Sequence, residues 1–288
     1  MRKTILSTLC MLLCIVSCLA QSAVKESLSF KSDLLHRDVN YSIYLPEDYN
    51  TSNRSYPVLY LLHGWTDNET SWIQMGDMKQ IADETIESGE AVNMIIVMPD
   101  AKETWYVNAY DGKDPYEDMF FQELIPFIEK TYRARTNREF RAIAGLSMGG
   151  YGSFVYCMHH PELFSACAPL SAAVYTDEQV KQFTAKGRQD SLFDKIYGKG
   201  ILTDHWQKNN VLKLLEDKTA KDFWHLQFYI DCGDKDKLLH GNYIIHEMMQ
   251  AKDIKHEFRV RGGGHSWTYW RTALPTVLKV CSKQFKRS

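Results

Sequence analysis

The sequence predicts an α/β protein with a mostly parallel central sheet, helices on both faces and an antiparallel start. Three observations lead there. Continuous apolar runs such as Pro57-Val58-Leu59-Tyr60-Leu61-Leu62 recur along the chain, as expected of strands covered on both faces. Stretches with helical spacing alternate with them. The beginning instead alternates polar and apolar residues, the mark of half-buried antiparallel strands. With 288 residues, 44% hydrophobic and 24% charged, the chain suits one sizeable core. No internal repeat or low-complexity linker divides it, so a single domain over 21–288 is expected.

Residues 1–20 read as a secretory signal. Arg2 and Lys3 form a basic start, Ile5 to Leu19 an apolar stretch too short for a comfortable membrane span, and Cys18-Leu19-Ala20 a small-residue cleavage region. Ile15-Val16-Ser17-Cys18 also resembles a lipoprotein box. Cleavage after Ala20 is the preferred reading, and lipidation of Cys18 is the alternative. Loss of Arg2 and Lys3 would take the net charge from −2 to −4. No polyanion-binding surface is indicated, and nucleic acid is not an expected partner.

Val24 to Tyr44 reads as two or three strands, and Asp48-Tyr49-Asn50 begins a polar turn. The strand at 57–62 ends in His63-Gly64-Trp65, with a polar loop from Thr66 to Thr70. Asn93 to Met98 is the next strand. Tyr116 to Tyr132 has helical spacing with a kink or boundary at Pro126. Phe140 to Ile143 reads as a strand, Tyr151 to Met158 as a buried helix stopped by Pro161, and Phe164 to Leu170 as a strand. The polar segment 172–223 breaks the alternation. It holds one helix near Val211 to Glu216 and reads either as a cap over the strand ends or as a surface excursion. Leu226 to Ile230, a helix from Tyr243 to Ala251, a strand from His256 to Val260 and a last helix from Tyr269 to Phe285 complete the chain. His159-His160, at a helix end, reads as capping or exposed.

The chemistry centres on Gly145-Leu146-Ser147-Met148-Gly149, a G-x-S-x-G set between a strand and a helix. A sharp turn there lifts the serine hydroxyl above the sheet edge, and the flanking glycines permit the turn. A serine is a weak nucleophile at neutral pH and needs a base within reach. His265, after Gly262-Gly263-Gly264, is the candidate. An acid must orient that histidine. Asp231, Asp234 and Asp236 compete; Asp231, at the strand's end, could point into the structure, and spacing does not separate the other two. The chain order of serine, acid, histidine is that of the α/β-hydrolase fold. Backbone amides of Met148 and Trp65 are placed to form an oxyanion hole. Trp65, Trp105, Tyr106 and Trp267 are spread over the same loops as candidate substrate contacts, although ordinary packing would explain each one singly. Cys157, Cys167, Cys232 and Cys281 show no C-x-x-C pairing or zinc spacing and read as buried thiols, with one disulfide as the alternative.

Together these stretches resemble the esterase family of α/β-hydrolases known as Putative esterase, which includes feruloyl and acetylxylan esterases, short-chain (tributyrin-type) esterases, S-formylglutathione hydrolases and mycolyltransferases. The resemblance rests on Leu61-Leu62-His63-Gly64, Ala144 to Gly152, His160 to Phe164, Gly233-Asp234-Lys235-Asp236 and Gly262 to Trp267. It implies that the acid of the G-x-x-D loop is Asp236. It also implies a serine carboxylesterase, with Ser147, Asp236 and His265 as triad, needing no metal or organic cofactor. Its substrates would be small-molecule or polysaccharide-linked esters, above all feruloyl or acetyl groups on plant cell wall. An acyltransferase, a peptidase and a non-catalytic binding protein on the same fold are the rivals.

Overall fold

The computed structural model describes residues 21–185, 191–200 and 202–285. The leader expected at 1–20, with Cys18, lies outside the described residues, as do 186–190 and 201 of the expected insertion. Two strands open the fold, β1 (Ala23–Ser32) and β2 (Arg37–Leu45), paired antiparallel from Ala23↔Leu45 to Ser32↔Arg37. β3 (Val58–Leu62) is buried throughout. After it come two helices that the sequence reading did not assign, α1 (Ser71–Gln74) and α2 (Met78–Glu87). The buried stripe of α2 is only Met78, Ala82 and Thr85, too thin to stand out as apolar periodicity.

β4 (Ile95–Pro99) follows, then α3 (Tyr116–Met119), which continues through a π turn at Phe120–Leu124 into α4 (Ile125–Thr131). Pro126 therefore sits in the first turn of α4. It has no N–H to offer the Gln122 carbonyl, and the wider turn just before it accommodates that loss. β5 (Arg141–Leu146), α5 (Met148–His159) and β6 (Ala166–Leu170) match the expected elements, with α5 beginning three residues earlier than its apolar run.

The described residues of segment 172–223 hold four helices rather than one: α6 (Asp177–Ala185), α7 (Ser191–Tyr197), α8 (Asp204–Asn209) and α9 (Val211–Glu216). Local caps start the last two. The Thr203 hydroxyl accepts from the Trp206 amide and the Asn210 side chain from the Leu212 amide. β7 (Gln227–Gly233), α10 (Leu239–Ala251), β8 (His256–Arg261) and α11 (Trp267–Gln284) close the chain.

Among the described residues eight strands form one sheet in the order β1-β2-β4-β3-β5-β6-β7-β8. β2 meets β4 antiparallel, and every pairing beyond β4 is parallel. Side chains alternate through β3: Val58, Tyr60 and Leu62 join the core on one face, Leu59 and Leu61 the core under α2 and α11 on the other. β3 has β4 on one side and β5 on the other, so the loops leaving their carboxyl ends diverge and open a crevice there. Cys157, Cys167, Cys232 and Cys281 are all free and buried. No helix among the described residues is long and apolar enough to cross a membrane.

His159 is neither a cap nor exposed. Its Nδ1 lies 2.7 Å from the buried Glu117 carboxylate and its Nε2 reaches the Lys208 carbonyl at 3.2 Å, tying α3, α5 and α8 together. Burial works against the charge on Glu117, yet His159 and His160 hold its carboxyl below the usual range. Burial likewise disfavours charge on His159, yet Glu117 raises it above an ordinary histidine. The depressed carboxyl contributes stability above about pH 4.3 that is lost as pH falls through its folded value. The raised imidazole contributes fully below about pH 6.5, and that part is lost as pH rises through its folded value. Glu117→Gln is therefore expected to cost about 2 kcal/mol between those limits and less on either side, measured by urea unfolding across pH.

Candidate active site

The serine of the G-x-S-x-G set is held in a conformation that few residues adopt. Ser147 has φ 54° and ψ −114°, between the end of β5 and the start of α5. Its amide donates to the Leu170 carbonyl at 2.9 Å, and its carbonyl accepts from Tyr151 and Ala173 at 3.0 and 2.9 Å. A Cβ on Gly149 would stand 2.6 Å from the His63 carbonyl oxygen, and one on Gly145 would stand 2.5 Å from that of Gly149. The first turn of α5 thus lies directly on the end of β3, an approach only glycine allows.

His265 arrives from the loop after β8. Its Nε2 is 2.9 Å from Ser147 Oγ and its Nδ1 is 2.9 Å from Asp236 Oδ2. An ionised carboxylate only accepts, so Nδ1 carries the proton and a neutral ring leaves Nε2 to accept from the serine hydroxyl. The Asp236 side chain is buried and also accepts from the Leu238 amide at 2.9 Å. Burial pushes its carboxyl up, but His265 and that amide outweigh it and hold it below the usual range.

The other two aspartates face elsewhere. Asp234 Oδ1 accepts from the Gly263 amide at 2.8 Å, while the Asp234 amide donates to the Arg261 carbonyl and the Lys235 amide to that of Gly263. These bonds fasten the aspartate loop to the histidine loop. Asp231 points into the structure and bonds Tyr229, Arg261 and Tyr269.

The loop after β3 stands beside the serine. A Cβ built on Gly64 would be 3.6 Å from Ser147 Cβ, so the backbone of this loop passes close to the serine. Met148, first residue of α5, has no carbonyl one turn back for its own amide. The loop is braced from within. The Gly64 amide donates to Asp67 Oδ2 at 3.2 Å, His63 Nδ1 donates to the Gly64 carbonyl at 2.7 Å, and the Ala101 amide donates to His63 Nε2 at 2.9 Å. His63 is thus neutral and structural. Asp100 at 3.6 Å is too far to bond a nitrogen that Ala101 already occupies.

The four aromatic candidates separate. Trp65 is 49% exposed beside the serine. Trp105, at φ 55°, stands edge-on to Tyr151 with centroids 5.5 Å apart and meets Tyr175 and Tyr197 of the insertion at 6.5 and 6.3 Å. Tyr106 is a correction: it is fully buried, and its hydroxyl donates to the His63 carbonyl at 3.0 Å, so it supports the loop from beneath instead of meeting a substrate. Trp267 is partly buried and packs on Trp72 and Trp270 with centroids 5.2 and 5.4 Å away, which makes it wall more than surface.

Two neighbours of the site escaped the sequence reading. Trp270 stands perpendicular to the His265 ring, centroids 4.9 Å apart, and its place one helical turn after Trp267 was the available signal. Tyr175 carried none; burial and the nearby Asp236 charge push its phenol up to about 12.

A parallel sheet behind an antiparallel start, with a serine on the strand-to-helix turn over the switch point, defines the α/β-hydrolase fold. More narrowly, the chain belongs to the family described as Putative esterase, whose sequence model matches residues 32–280. It is similar to the endo-1,4-beta-xylanase/feruloyl esterase of Xylanibacter ruminicola, with 33% identity over 269 residues. That match covers 91% of this chain but only 31% of the relative, so the chain spans about a third of that protein's length. An acetyl esterase of Caldicellulosiruptor saccharolyticus is 22% identical over 89% of this chain and 97% of its own. Among solved structures, a ferulic acid esterase superposes with a TM-score of 0.81 at 32% identity, covering 92% of this chain and 99% of that one. An S-formylglutathione hydrolase from Staphylococcus aureus shares the fold, with a TM-score of 0.76, 23% identity and coverage of 91% and 99%.

Of the three glycines before His265, only Gly263 requires its lack of a side chain. Its φ is +146° and a Cβ would meet the Tyr269 ring at 2.6 Å, whereas a Cβ on Gly262 meets nothing within 4 Å. Gly263→Ala should cost about 1–3 kcal/mol and lower turnover, while Gly262→Ala should stay within about 0.5 kcal/mol of wild type, both read by urea denaturation beside ester hydrolysis.

Proposed function

We propose that the protein is a serine carboxylesterase that works through an acyl-enzyme and removes feruloyl or acetyl groups from plant cell-wall polysaccharide. The observation that carries this reading is the continuous chain from Ser147 Oγ to His265 Nε2 and from His265 Nδ1 to Asp236, both contacts at 2.9 Å. In the first half-reaction Ser147 Oγ attacks the ester carbonyl as its proton passes to His265 Nε2. Asp236 stabilises the imidazolium that results. The carbonyl oxygen, now negative, is received by the amides of Trp65 and Met148, each worth about 3 kcal/mol of barrier. Collapse expels the alcohol, which takes the proton from His265. In the second half a water gives its proton to His265, attacks the acyl-serine, and releases the acid with Ser147 restored.

The substrate class is supported by relatives named feruloyl esterase and acetyl esterase and by the aromatic neighbours Trp65, Trp105 and Tyr175. Trp105 and Tyr175 suit a planar acyl group, and Trp65, exposed beside the oxyanion loop, suits a sugar on the alcohol side. The basic and apolar pattern of residues 1–20 supports export to where such polymers lie.

The test is hydrolysis of p-nitrophenyl acetate, methyl ferulate and acetylated xylan by wild type and Ser147→Ala. Turnover should drop on the order of 10⁶-fold in the variant. Activity surviving the substitution would remove Ser147 from the mechanism, and acetate esters as the sole substrates would assign the acetyl branch. Trp65→Ala should raise KM about fivefold on a feruloylated arabinoxylan oligosaccharide while barely changing KM for methyl ferulate, which lacks the sugar.

A further inference from the structure

One buried carboxylate near the site takes no part in the reaction described above. Asp231 is fully buried in β7 and accepts hydrogen bonds from Tyr229 Oη at 2.6 Å, from Arg261 Nη2 at 2.6 Å and from Tyr269 Oη. Arg261 lies four residues before His265 and Tyr269 four residues after it, so one charge holds both flanks of the histidine loop. The guanidinium also lies over the Tyr269 ring, 5.4 Å from its centroid. A third tie leaves the Asp231 carbonyl, which accepts from the Ser171 amide at 2.8 Å. The Ser171 hydroxyl then accepts from Trp270 Nε1 at 3.1 Å, and Trp270 stands against the His265 ring.

Filling a core site with an ion is costly, and an apolar side chain of similar size often stabilises as well or better. What an ion adds is direction: three donors from β7, β8 and α11 must converge on one group. The Gly262-Gly263-Gly264 run has no side chains to pack, so besides the backbone bonds to Asp234 and Lys235 the loop depends on what holds its two flanks. We propose that Asp231 is a positioning residue that, through Arg261 and Tyr269, sets the His265 imidazole between Asp236 and Ser147. The kinetic consequence rests on the esterase reading; the geometric one does not.

Asp231→Asn in the full chain tests it, because an amide N–H₂ group would face one of the three donors. We expect kcat on p-nitrophenyl acetate to fall about 100-fold with KM within about twofold, the scale of a 1 Å misplacement of a catalytic group. The low-field proton resonance of His265 Nδ1–H, bonded to Asp236, should be present in wild type and in Ser147→Ala and should be lost or shifted in Asp231→Asn. A folded variant that keeps its kcat and that resonance, with only a lower urea midpoint, would reduce Asp231 to a stability element and overturn the proposal. If Asp231→Asn does not fold, Tyr269→Phe and Arg261→Gln each remove one donor, and each should lower kcat about tenfold and shift the resonance. No change of either quantity in both would equally overturn it. A wild type with the resonance but no esterase activity would sink the function and leave the resonance comparison to decide the role of Asp231.

Discussion

The site is built around a close approach of backbone to backbone. Ser147 holds φ 54° and ψ −114° because the chain leaves β5 and enters α5 with almost no space. Conformations of this kind cost about 1–3 kcal/mol and persist only when neighbours over-determine them. Here the neighbours are the Leu170 carbonyl, which takes the serine amide, and the His63 carbonyl, which lies where a side chain on Gly149 would be. The same contact sets the loop after β3 beside the serine. The nucleophile and the proposed anion-binding amides thus share one packing constraint, and the other parts of the site are brought to that point.

The aspartates of β7 and of the loop after it show how environment divides one chemistry into three. Asp236 meets His265, Asp234 takes a backbone amide of the histidine loop, and Asp231 is enclosed by two phenols and a guanidinium. All three act on the same loop. A glycine-rich loop could not place an imidazole to a few tenths of an ångström by itself, so its order comes from the acidic loop next to it.

The insertion divides its attachments. α9 packs on α5 and α10, as part of the body, and the His159–Glu117 pair ties α8 to the helices beneath. Tyr175 and Tyr197 instead gather around Trp105 near the serine. Trp105 and Tyr106 both hold positive φ, and the twist sends one ring toward the insertion and the other under the loop after β3. Adjacent aromatics in one loop therefore have opposite fates.

Much of this was legible locally. Apolar runs marked β3 to β7 because a strand covered on both faces leaves no polar alternation, and G-x-S-x-G between a strand and a helix located the serine. His265 stood out because it followed glycines at a strand end. What local pattern could not carry was every choice that depends on distant partners. Asp236 was separated from Asp234 only by family likeness until His265, 29 residues on, was seen to bond it. Tyr106 was grouped with candidate substrate contacts because it lies on the same loops as the tryptophans, and only burial removed it. The thin stripe of α2 and the polar helices α6 to α8 were missed because packing, not periodicity, holds them. Sequence by itself determined the strand order in the chain and the residue types able to do acyl chemistry, since both follow from local propensity and side-chain pKa. Tertiary structure decided which aspartate meets His265 and that His265 meets the serine, because hydrogen bonds act over about 3 Å between segments here 29 and 118 residues apart.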